Sequence, residues 1–383
     1  MKVAFFHDAI LKKNVKGEYY TSGGLTKEFL SKYLKFFDEL VVVTRVEYVE
    51  NTENFSKSSG DKISFNSIED INPIKILLKK EIKRKIEEEV EKADFIIVRL
   101  PSFIGNIAAS YAKKIKKNYL VELVACPWDA LSNYGNIQGK IMAPIMFQLT
   151  KYFVKNAPYV IYVSNNFLQK RYPSKGKTIG CSDVNISEIK EEILHKRLNK
   201  IENSSGGKYK LGLMGSLKVN YKGHFTAIKA IARLKNPKIE LHFLGAGDKT
   251  HWEKIAKKYK VDKQVFFDGT LPGGEPVYNW IDEMDIYLIP SLTEGLPRAL
   301  VEAMSRACPT IGTKVGGIPE LIEKEYIINK KDDKMLSKKI KELLENPDMM
   351  KELAISNFKK SLEYKKEILE NKKECFYKNI KID

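Results

Sequence analysis

Short apolar runs that are continuous rather than alternating constrain the fold more than any other feature of this sequence. In the first half of the chain they lie at 3–6, 39–44, 93–98, 118–124 and 158–163, with helical segments between them. Continuous apolarity is typical of strands that are covered on both faces, as in a parallel sheet. The pattern therefore predicts an α/β architecture for this half.

The second half repeats the alternation of strands and helices, and glycines mark the ends of its predicted strands. These glycines are Gly215, Gly245, Gly247 and Gly269, and Phe267 lies just before the last of them. Glycine at the carboxyl end of a strand permits close approach of the backbone to a ligand, and ligands of open α/β sheets gather at those ends. We therefore predict a second doubly wound unit with a ligand site at this edge.

A strand, a turn and a helix follow one another between residues 284 and 302. The run at 284–290 is predicted to be a buried strand, and Pro297 suits the first helical position, where a missing N–H costs nothing. Glu294 lies in the turn, and the helix is expected to begin after Gly295 and Leu296. Free N–H groups at such a helix start favour binding of an anion.

Glu302 has two interpretations. On the predicted helix it lies opposite the apolar arc, on the same side as Arg298 and Arg306, which is typical of a solvated or ion-paired residue. The alternative is a binding residue that acts together with Glu294, eight positions earlier. Taken alone, the helix pattern leaves both interpretations open.

Lys222 lies just before a helix that is predicted from His224 to Leu234. A lysine at this position can reach a phosphate that is held by the helix amides, in a charge-assisted contact worth about 1.5–3 kcal/mol. An ordinary surface loop is the alternative for a single Lys-Gly pair.

The first half has a different glycine pattern. No G-x-G-x-x-G follows the first predicted strand, which counts against a dinucleotide-dependent oxidoreductase. Instead, Gly23 and Gly24 precede a helix predicted from Thr26 to Phe36, and they form either an anion-binding backbone nest or a plain turn. Asp8 and Asp129 are expected at strand ends that face the second half. We take them as candidates for binding an acceptor.

Chain length indicates two domains. With 383 residues, the chain exceeds the size at which a single core stops growing. Stretches at 172–177 and 203–208 have the composition of turns and linkers. We predict a first domain at 1–185, a linker at 186–207, a second domain at 208–356 and a basic carboxyl-terminal helix at 357–383.

The positive charge is spread along the chain. The formal net charge is +17, and the first 185 residues carry +9 of it. Zinc-finger spacing, a basic heptad region and the aromatic-basic signature of an RNA-binding sheet are not evident, so we do not expect a nucleic-acid partner. A basic surface would attract anionic lipid head groups or polyanionic substrates, and non-specific attraction at low salt is the alternative.

The sequence also suggests where the protein acts. The four cysteines are scattered, without a C-x-x-C pair, and are expected to be reduced. We identify neither an amino-terminal signal peptide nor a run of about 18 apolar residues that could span a bilayer. We therefore expect a cytoplasmic protein, with peripheral association at the inner face of the membrane at most.

Taken in order, these motifs resemble the carboxyl-terminal domain of the retaining glycosyltransferases of family 4, which have the GT-B fold of two Rossmann-like domains facing across a cleft. Two segments of the first half, at 121–129 and 162–173, resemble the branch of the family that assembles polysaccharides. The matching motifs are Gly215 with Lys222-Gly223, Gly245-x-Gly247, Phe267-x-Gly269, Glu294-x7-Glu302 and Gly316-Gly-Ile-Pro-Glu320.

The chain departs from the family pattern at two places. Many members have an arginine directly after the first glycine, where this chain has Ser216, so a second cationic phosphate contact is missing or is supplied by Lys218. Many members also have a histidine that touches the donor sugar, in the loop where this chain has Pro127-Trp-Asp129. That histidine's role therefore has no residue to which it can be assigned here.

The resemblance implies specific roles for the matching residues. In the family, the lysine matching Lys222 binds the donor's diphosphate, the glutamate matching Glu294 holds the transferred sugar, and the one matching Glu302 takes the ribose hydroxyls. A glycine-rich loop matching Gly23 and Gly24 faces the diphosphate across the cleft. The last helix of this fold crosses back to pack on the first domain.

The resemblance thus implies transfer of a sugar, with retention, from a UDP- or GDP-linked donor to a carbohydrate or lipid-linked acceptor, in surface polysaccharide or glycan synthesis. No cofactor is expected beyond this donor substrate, and no D-x-D pair for a metal is present. Glu122, inside an apolar strand, is expected to be a structural acid. A sugar-nucleotide epimerase of the same architecture and a non-catalytic scaffold protein are the alternatives.

Overall fold

The computed structural model describes residues 1–53, 55–69, 76, 79–133, 137–184, 186, 189–203 and 207–380. Within these residues the strands form two sheets. The first sheet contains β1 Lys2–Lys13, β2 Tyr19–Thr21, β3 Glu39–Tyr48, β4 Ser56–Lys57, β5 Ile63–Ile68, β6 Phe95–Leu100, β7 Tyr119–Leu123, β8 Tyr159–Tyr162 and β9 Lys177–Gly180. The second contains β10 Tyr209–Met214, β11 Ile239–Leu244, β12 Val265–Gly269, β13 Ile286–Ile289, β14 Thr310–Thr313 and β15 Ile327–Ile328.

Helices form most of the connections between these strands. They are α1 Lys27–Ser31, α2 Lys80–Lys92, α3 Phe103–Lys114, α4 Pro127–Ser132, α5 Ile137–Asn156, α6 Phe167–Arg171, α7 Glu191–Glu202, α8 His224–Leu234, α9 Thr250–Lys258, α10 Glu275–Glu283, α11 Arg298–Ser305, α12 Asp333–Glu345, α13 Pro347–Ser361 and α14 Lys366–Lys378. No helix in the described part of the chain is both long and apolar enough to cross a bilayer.

Both sheets are doubly wound, as the apolar pattern predicted. The parallel strands of the first sheet follow the order β5-β3-β1-β6-β7-β8-β9, and the short strands β2 and β4 extend one end of β1 in antiparallel fashion. The second sheet is parallel throughout, in the order β12-β11-β10-β13-β14-β15. The strand order reverses between β1 and β6 in one sheet and between β10 and β13 in the other.

Burial explains why the strands have continuous rather than alternating apolar sequences. Every residue of β7, β8 and β13 is buried, because helices cover both faces of the sheets. One cluster of buried side chains surrounds the first sheet and continues into α10 and α11 of the second unit. A second cluster fills the other side of the second sheet.

The elements differ in extent from the sequence predictions at two places near the site. The first strand, predicted at 3–6, runs from Lys2 to Lys13 because β3 pairs with nearly its whole length. The helix predicted from Thr26 to Phe36 is instead the short α1 followed by a 3-10 turn at Tyr33–Lys35. Thr26 caps α1 by accepting a hydrogen bond from the backbone N–H of Phe29.

The predicted linker at 186–207 contains a helix, α7, rather than turns alone. Arg197 in this helix is buried and donates hydrogen bonds to the carbonyl oxygens of Met284 and Ile281, so α7 is docked on the second unit. Residues 187–188 and 204–206 of this segment lie outside the described residues. The domain limits themselves stay a prediction.

The carboxyl-terminal segment crosses from the second unit to the first. It was predicted as one helix, but α13 ends at Ser361 and α14 begins at Lys366; residues 381–383 lie outside the described part. The Tyr377 ring stacks on Phe36 with centroids 4.5 Å apart, and Lys373 Nζ lies 3.1 Å from a carboxylate oxygen of Asp183. The α14 helix, which follows the second unit in the chain, therefore packs on the first unit.

Candidate functional site

The topology of the second sheet determines where a ligand can bind. Since strand order reverses between β10 and β13, the connections that leave these neighbouring strands run to opposite faces and open a crevice at their carboxyl ends. Lys222 lies on the connection after β10, and Glu294 lies on the connection after β13. The two residues therefore meet at the topological switch point.

Lys222 and Glu294 form an ion pair. Lys222 Nζ lies 2.8 Å from Glu294 Oε1, and the Ser291 hydroxyl donates to the same oxygen at 2.7 Å. The Glu294 side chain is only 9% exposed, whereas that of Lys222 is 26% exposed. The lysine is thus the partner that an incoming ligand can reach.

Gly223 allows this pair to form. Its φ of 85° is in the left-handed region, and a Cβ there would lie 2.1 Å from the carbonyl oxygen of Pro290. Any larger residue would push the turn that carries Lys222 away from the end of β13. Steric crowding thus explains why a glycine directly follows Lys222.

The other predicted glycines lie together at the same edge. The Gly245 N–H donates to the carbonyl of Gly269 at 2.7 Å, and a Cβ on Gly245 would lie 2.1 Å from the carbonyl oxygen of Gly215. Gly247 lies against Lys218, and the Phe267 ring packs on Phe243 with centroids 5.6 Å apart. The loops after β10, β11 and β12 are therefore closely stacked.

Ser216, at the position where many family members have arginine, is bound to its own loop. Its hydroxyl donates to the carbonyl oxygen of Ala246 at 3.1 Å and accepts from the backbone N–H of Lys218 at 3.3 Å. Lys218 itself is exposed on this loop. Ser216 therefore supplies no positive charge, and any second cation must come from another residue.

The start of α11 lies close to the first unit. Pro297, predicted as the first helical residue, is instead the residue before Arg298, which begins the helix. A Cβ on Gly295 would lie 2.3 Å from the carbonyl oxygen of Val124, and Gly317 donates to the Gly295 carbonyl at 2.6 Å. The turn containing Glu294, Gly295 and Leu296 is therefore held between the two units.

Glu302 lies on α11 in a half-buried position. Burial raises the pKa of its carboxyl group, and the nearby charge of Arg298 acts in the opposite direction. The negative charge of Glu302 adds to the effect of burial in raising the pKa of Tyr278. Arg306 pairs instead with Asp282, with Nε 2.8 Å from Oδ1. The arrangement therefore does not show the solvated Glu302–Arg306 pair that was one interpretation of the sequence.

A cavity of about 360 Å³ lies between the two units. Of the predicted site residues it exposes Gly23, Gly24 and Leu296, and we call it the central cavity. Arg298 also lines it, with Nη1 3.9 Å from where a Cβ on Gly24 would lie. The glycine loop of the first unit thus faces the helix start of the second.

One wall of the central cavity includes part of a set of mutually paired polar side chains, which we call the buried charge network: Arg99, Glu122, Asp183, Lys373 and Tyr33. Arg99 donates to Glu122 at 2.8 Å and to Asp183 at 2.5 Å, and the Tyr33 hydroxyl lies 2.9 Å from both Glu122 oxygens. Burial acts against the charge of Asp183, but Arg99 and Lys373 outweigh it and lower its pKa. Glu122 is therefore held as a structural acid.

His7 also lines the central cavity. Its Nδ1 lies 3.1 Å from the carbonyl oxygen of Arg99, and burial together with the Arg99 charge lowers its pKa to about 3. The imidazole is consequently neutral at neutral pH. It can exchange hydrogen bonds with a ligand without adding charge to the cavity.

Asp8 and Asp129 have other partners and do not line the central cavity. Asp8 accepts hydrogen bonds from the N–H groups of Phe103 and Ile104, at 2.6 and 2.9 Å, at the start of α3; burial raises its pKa. Asp129 is paired with Arg171 at 2.9 Å. His7 thus lines the cavity, whereas the carboxylate of the adjacent Asp8 is turned toward the start of α3. The structure therefore does not favour these two carboxylates as acceptor ligands.

Four ionisable residues that line the central cavity were not identified as site residues from the sequence: His7, Arg99, Asp183 and Arg298. Arg99 stands in an otherwise apolar run, which is a usable signal for a buried functional or structural charge. Asp183 follows β9, a strand that the apolar pattern did not predict. Arg298 was considered only as a partner of Glu302.

The arrangement of the two units has counterparts among solved structures. The structure of Alr3699/HepE from Anabaena in complex with UDP has a TM-score of 0.65 and 15% sequence identity, and the match covers 99% of this chain and 100% of that one. This likeness shows the fold, which is GT-B: two Rossmann-like domains on either side of a cleft.

Sequence comparison shows the family. Residues 195–360 match the protein family described as Glycosyl transferases group 1. Protein CapJ of Staphylococcus aureus is 36% identical over 386 residues, which cover 100% of this chain and 96% of that protein. The chain therefore belongs to the group 1 glycosyltransferases. The putative colanic acid biosynthesis glycosyltransferase WcaL of Escherichia coli K12 is 31% identical over 134 residues, or 31% of this chain and 32% of that protein.

Proposed function

We propose that the protein is a retaining hexosyltransferase of family 4 that moves a sugar from a UDP- or GDP-linked donor to a carbohydrate or lipid-linked acceptor, without a bound metal. Related proteins named for colanic acid and amylovoran biosynthesis support a role in surface polysaccharide or glycan synthesis. Structural neighbours named as complexes with UDP and UDP-glucose support the class of donor. The observation that carries the proposal is the Lys222–Glu294 pair at the topological switch point.

Donor binding would exchange the partner of Lys222. A diphosphate at the start of α11 offers more negative charge than one carboxylate, and the ammonium group is exposed enough to turn toward it. Glu294 would then be free to accept hydrogen bonds from hydroxyl groups of the transferred sugar. Ser291 would keep Glu294 in place, because its hydroxyl donates to Oε1.

The bond between the anomeric carbon and the diphosphate oxygen breaks during transfer, and negative charge develops on the leaving group. Lys222 and the free N–H groups at the start of α11 would stabilise that charge. Arg298 would supply the second cation that Ser216 lacks, because Arg298 lines the central cavity opposite Gly24. The backbone of Gly23 and Gly24 would face the diphosphate from the other side. Gly215, Gly245, Gly247 and Gly269 would let the loops approach the nucleotide closely.

Retention can proceed here without a carboxylate nucleophile. The acceptor hydroxyl would attack the anomeric carbon on the face from which the diphosphate leaves, and its proton would pass to a diphosphate oxygen. Glu122 is held by Arg99 and Tyr33 and is not free to form a covalent intermediate. Asp8 and Asp129 would act only as supports, through the start of α3 and through Arg171.

Glu302 would bind the ribose. Its half-buried carboxylate lacks full hydration, which raises its pKa. Two ribose hydroxyl groups would replace the lost water as hydrogen-bond donors. Phe267, near the stacked glycine loops, would lie toward the base side of the same nucleotide.

The acceptor would enter through the central cavity, where His7 and Arg298 offer a neutral and a cationic polar group. We further propose a cytoplasmic protein that associates with the inner face of the membrane, since a lipid-linked acceptor would be presented there.

The epimerase and scaffold alternatives are not favoured, because the chain belongs to a glycosyltransferase family and keeps Lys222, Glu294 and Glu302.

A thermal-shift panel of nucleoside diphosphates in EDTA tests the donor site first. A ligand at about 100 times its Kd should stabilise the protein by roughly 2.7 kcal/mol. Sugar nucleotides carrying the preferred base then identify the donor, and nuclear magnetic resonance of the product shows whether the anomeric configuration is kept. An inverted product, or an epimerised free sugar nucleotide, would contradict the proposal.

The source of the second cation is tested by two single substitutions. Arg298→Ala should lower kcat by roughly tenfold to 100-fold, as expected for a charge-assisted contact in the transition state worth about 1.5–3 kcal/mol. Lys218→Ala, which removes an exposed cation from the loop after β10, serves as the matched control. The reverse ranking would assign the contact to Lys218.

A further inference from the structure

Exposed apolar side chains are concentrated on one part of the surface. Of the fifteen large hydrophobic residues that are exposed in the described part of the chain, six lie between 128 and 152. Ile137 is 76% exposed and Ile141 62% exposed. The six residues are Trp128, Ile137, Ile141, Ile145, Leu149 and Tyr152. Single exposed apolar residues are ordinary, but a contiguous group of this kind marks an interaction surface.

Five of these residues form a stripe along α5, which we call the outer stripe. The isoleucines and Leu149 follow one another at intervals of four, and Tyr152 follows at an interval of three, so all lie on one side of the helix. The opposite side already faces the protein core: Gly139, Ala143, Met146, Thr150, Phe153 and Val154 are buried. The helix is thus apolar on two sides, and in the part of the chain that the structure describes the outer stripe is exposed.

Positive charge surrounds the outer stripe, and negative charge is missing from it. Lys140, Lys151 and Lys155 are exposed on α5, which contains no acidic residue. Lys113 of the neighbouring α3 lies over the Tyr152 ring at 4.4 Å. From residue 130 to residue 182 the sequence has no Asp or Glu, but it has six Lys and one Arg.

We propose that the outer stripe docks on the surface of a bilayer that contains anionic lipids, with α5 lying in the plane of the interface. An apolar stripe flanked by lysines suits this position, because the side chains enter the acyl boundary while the ammonium groups meet the head groups. Pairing with a second copy would bring two basic, acid-free surfaces together, which charge repulsion disfavours.

The position of α5 links this surface to the cleft. The α4 helix follows the carboxyl end of β7 and connects Val124, which contacts Gly295, to the region of α5. Trp128 of α4 packs edge to face on Phe147 of α5, with centroids 6.0 Å apart. Docking through α5 would therefore hold the first-unit wall of the cleft near the membrane. This inference rests on the proposed function, because it assigns the route of a lipid-linked acceptor.

Vesicle co-sedimentation of the full chain tests the inference. We expect binding to vesicles of phosphatidylcholine with phosphatidylglycerol and little binding to phosphatidylcholine alone. Ile141→Ser with Ile145→Ser should weaken binding by at least about tenfold, since each side chain loses apolar burial. The matched control is Leu271→Ser with Ile368→Ser, which changes two exposed aliphatic residues elsewhere and should leave binding unchanged.

The charge contribution has its own matched pair of variants. Changing Lys140, Lys151 and Lys155 to Gln should weaken binding to the anionic vesicles on the order of 100-fold, at about fivefold for each lysine near the surface. The control changes three exposed lysines on α9, Lys254, Lys257 and Lys258, to Gln. Equal loss in both triple variants would mean non-specific attraction and would overturn the inference.

Two further outcomes would also overturn it. One is wild-type protein that does not bind anionic vesicles, or helix variants that bind them like wild type. The other is a dimer, detected by sedimentation velocity, that is dissociated by the double substitution Ile141→Ser with Ile145→Ser; this would make the outer stripe a self-interface.

Nucleoside diphosphate binding without lipid is measured for every variant. Intact nucleotide binding with lost vesicle binding separates this inference from the donor site, and failure of nucleotide binding in wild type would count against the proposed function instead.

Discussion

Two groups of charges face the same cleft, and they differ in what a ligand can do to them. The Lys222–Glu294 pair is a one-to-one contact whose lysine is partly exposed, so an anion can take over the ammonium group. In the buried charge network, Arg99 already forms ion pairs with two carboxylates, and its side chain is only 13% exposed. A ligand would have to break several contacts at once to recruit it.

The difference teaches how to separate binding charges from structural ones in this protein. Removing one partner from a buried network leaves an uncompensated charge without water, which is strongly destabilising. Removing Lys222 from the pair uncovers one carboxylate rather than two, and Glu294 keeps the hydrogen bond from the Ser291 hydroxyl. We therefore expect the network to control stability and the pair to control turnover.

The largest expected effect is on the buried charge network. Arg99→Met should lower the free energy of unfolding by about 3–5 kcal/mol, because Glu122 and Asp183 lose their shared partner. Urea unfolding measures this change. Arg84→Met, which removes an exposed i,i+4 pair with Glu88, is the matched control and should cost less than about 0.5 kcal/mol. Equal effects of the two variants would abolish the distinction between the two groups of charges.

Lys222→Ala tests the other side of the comparison. It should lower kcat by roughly 10²–10³, the scale for loss of one donor that stabilises transition-state charge, while the free energy of unfolding should fall by less than in Arg99→Met, because only one carboxylate loses its partner. Lys210→Ala removes another ion-paired lysine of the same unit, beside Glu283 at the opposite end of β10. Steady-state kinetics should show full activity for that control. A Lys222→Ala enzyme with normal turnover would place the diphosphate elsewhere.

Glu302→Gln should have a smaller effect, and on a different quantity. Ribose contacts are equally present before and during the reaction, so the donor KM should rise by roughly tenfold while kcat changes little. Because burial raises the pKa of Glu302, the wild-type donor KM should also rise as the pH falls through that pKa. The variant should lose this pH dependence. Unchanged donor affinity would return Glu302 to the role of a solvated helix residue.

The smallest expected effect concerns His7. Its pKa is about 3 in the folded protein, below the ordinary value near 6.5, so the unfolded chain binds a proton that the folded protein does not. This histidine therefore contributes stability fully above about pH 6.5, and the contribution is lost as the pH falls toward 3. Between pH 6 and 5 the loss should be about 1 kcal/mol. His7→Gln should flatten this part of the unfolding curve; an unchanged slope would show that the imidazole is solvated.

The sequence allowed prediction of where the candidate residues of the second unit lie, because the segments that carry them are local. Glu294 and Glu302 belong to one strand-turn-helix segment, and Lys222 directly precedes a helix, so the expected fold brings their loops to one sheet edge. The doubly wound architecture also followed from the apolar runs. In both cases the information lies within a few residues of the feature that it predicts.

The first-unit wall of the cleft could not be predicted in the same way. Arg99 and Asp183 are 84 positions apart, and Asp8 and Phe103 are 95 positions apart, so their contacts depend on how the sheet brings distant loops together. A strand-end carboxylate such as Asp8 can face the cleft or the start of a neighbouring helix, and only the register of β1 decides between them. The outer stripe of α5 was likewise invisible, because an apolar helix sequence does not show which side the core covers.

Calorimetric titration of the preferred nucleoside diphosphate in EDTA tests the exchange of Lys222 from Glu294 to the donor most directly. We predict that wild type binds without added metal, that Lys222→Ala binds at least about tenfold more weakly, and that Glu294→Gln binds at least as tightly as wild type, since its lysine no longer has a competing carboxylate. Binding that requires added magnesium, or equal affinities of the wild type and Lys222→Ala, would contradict the account.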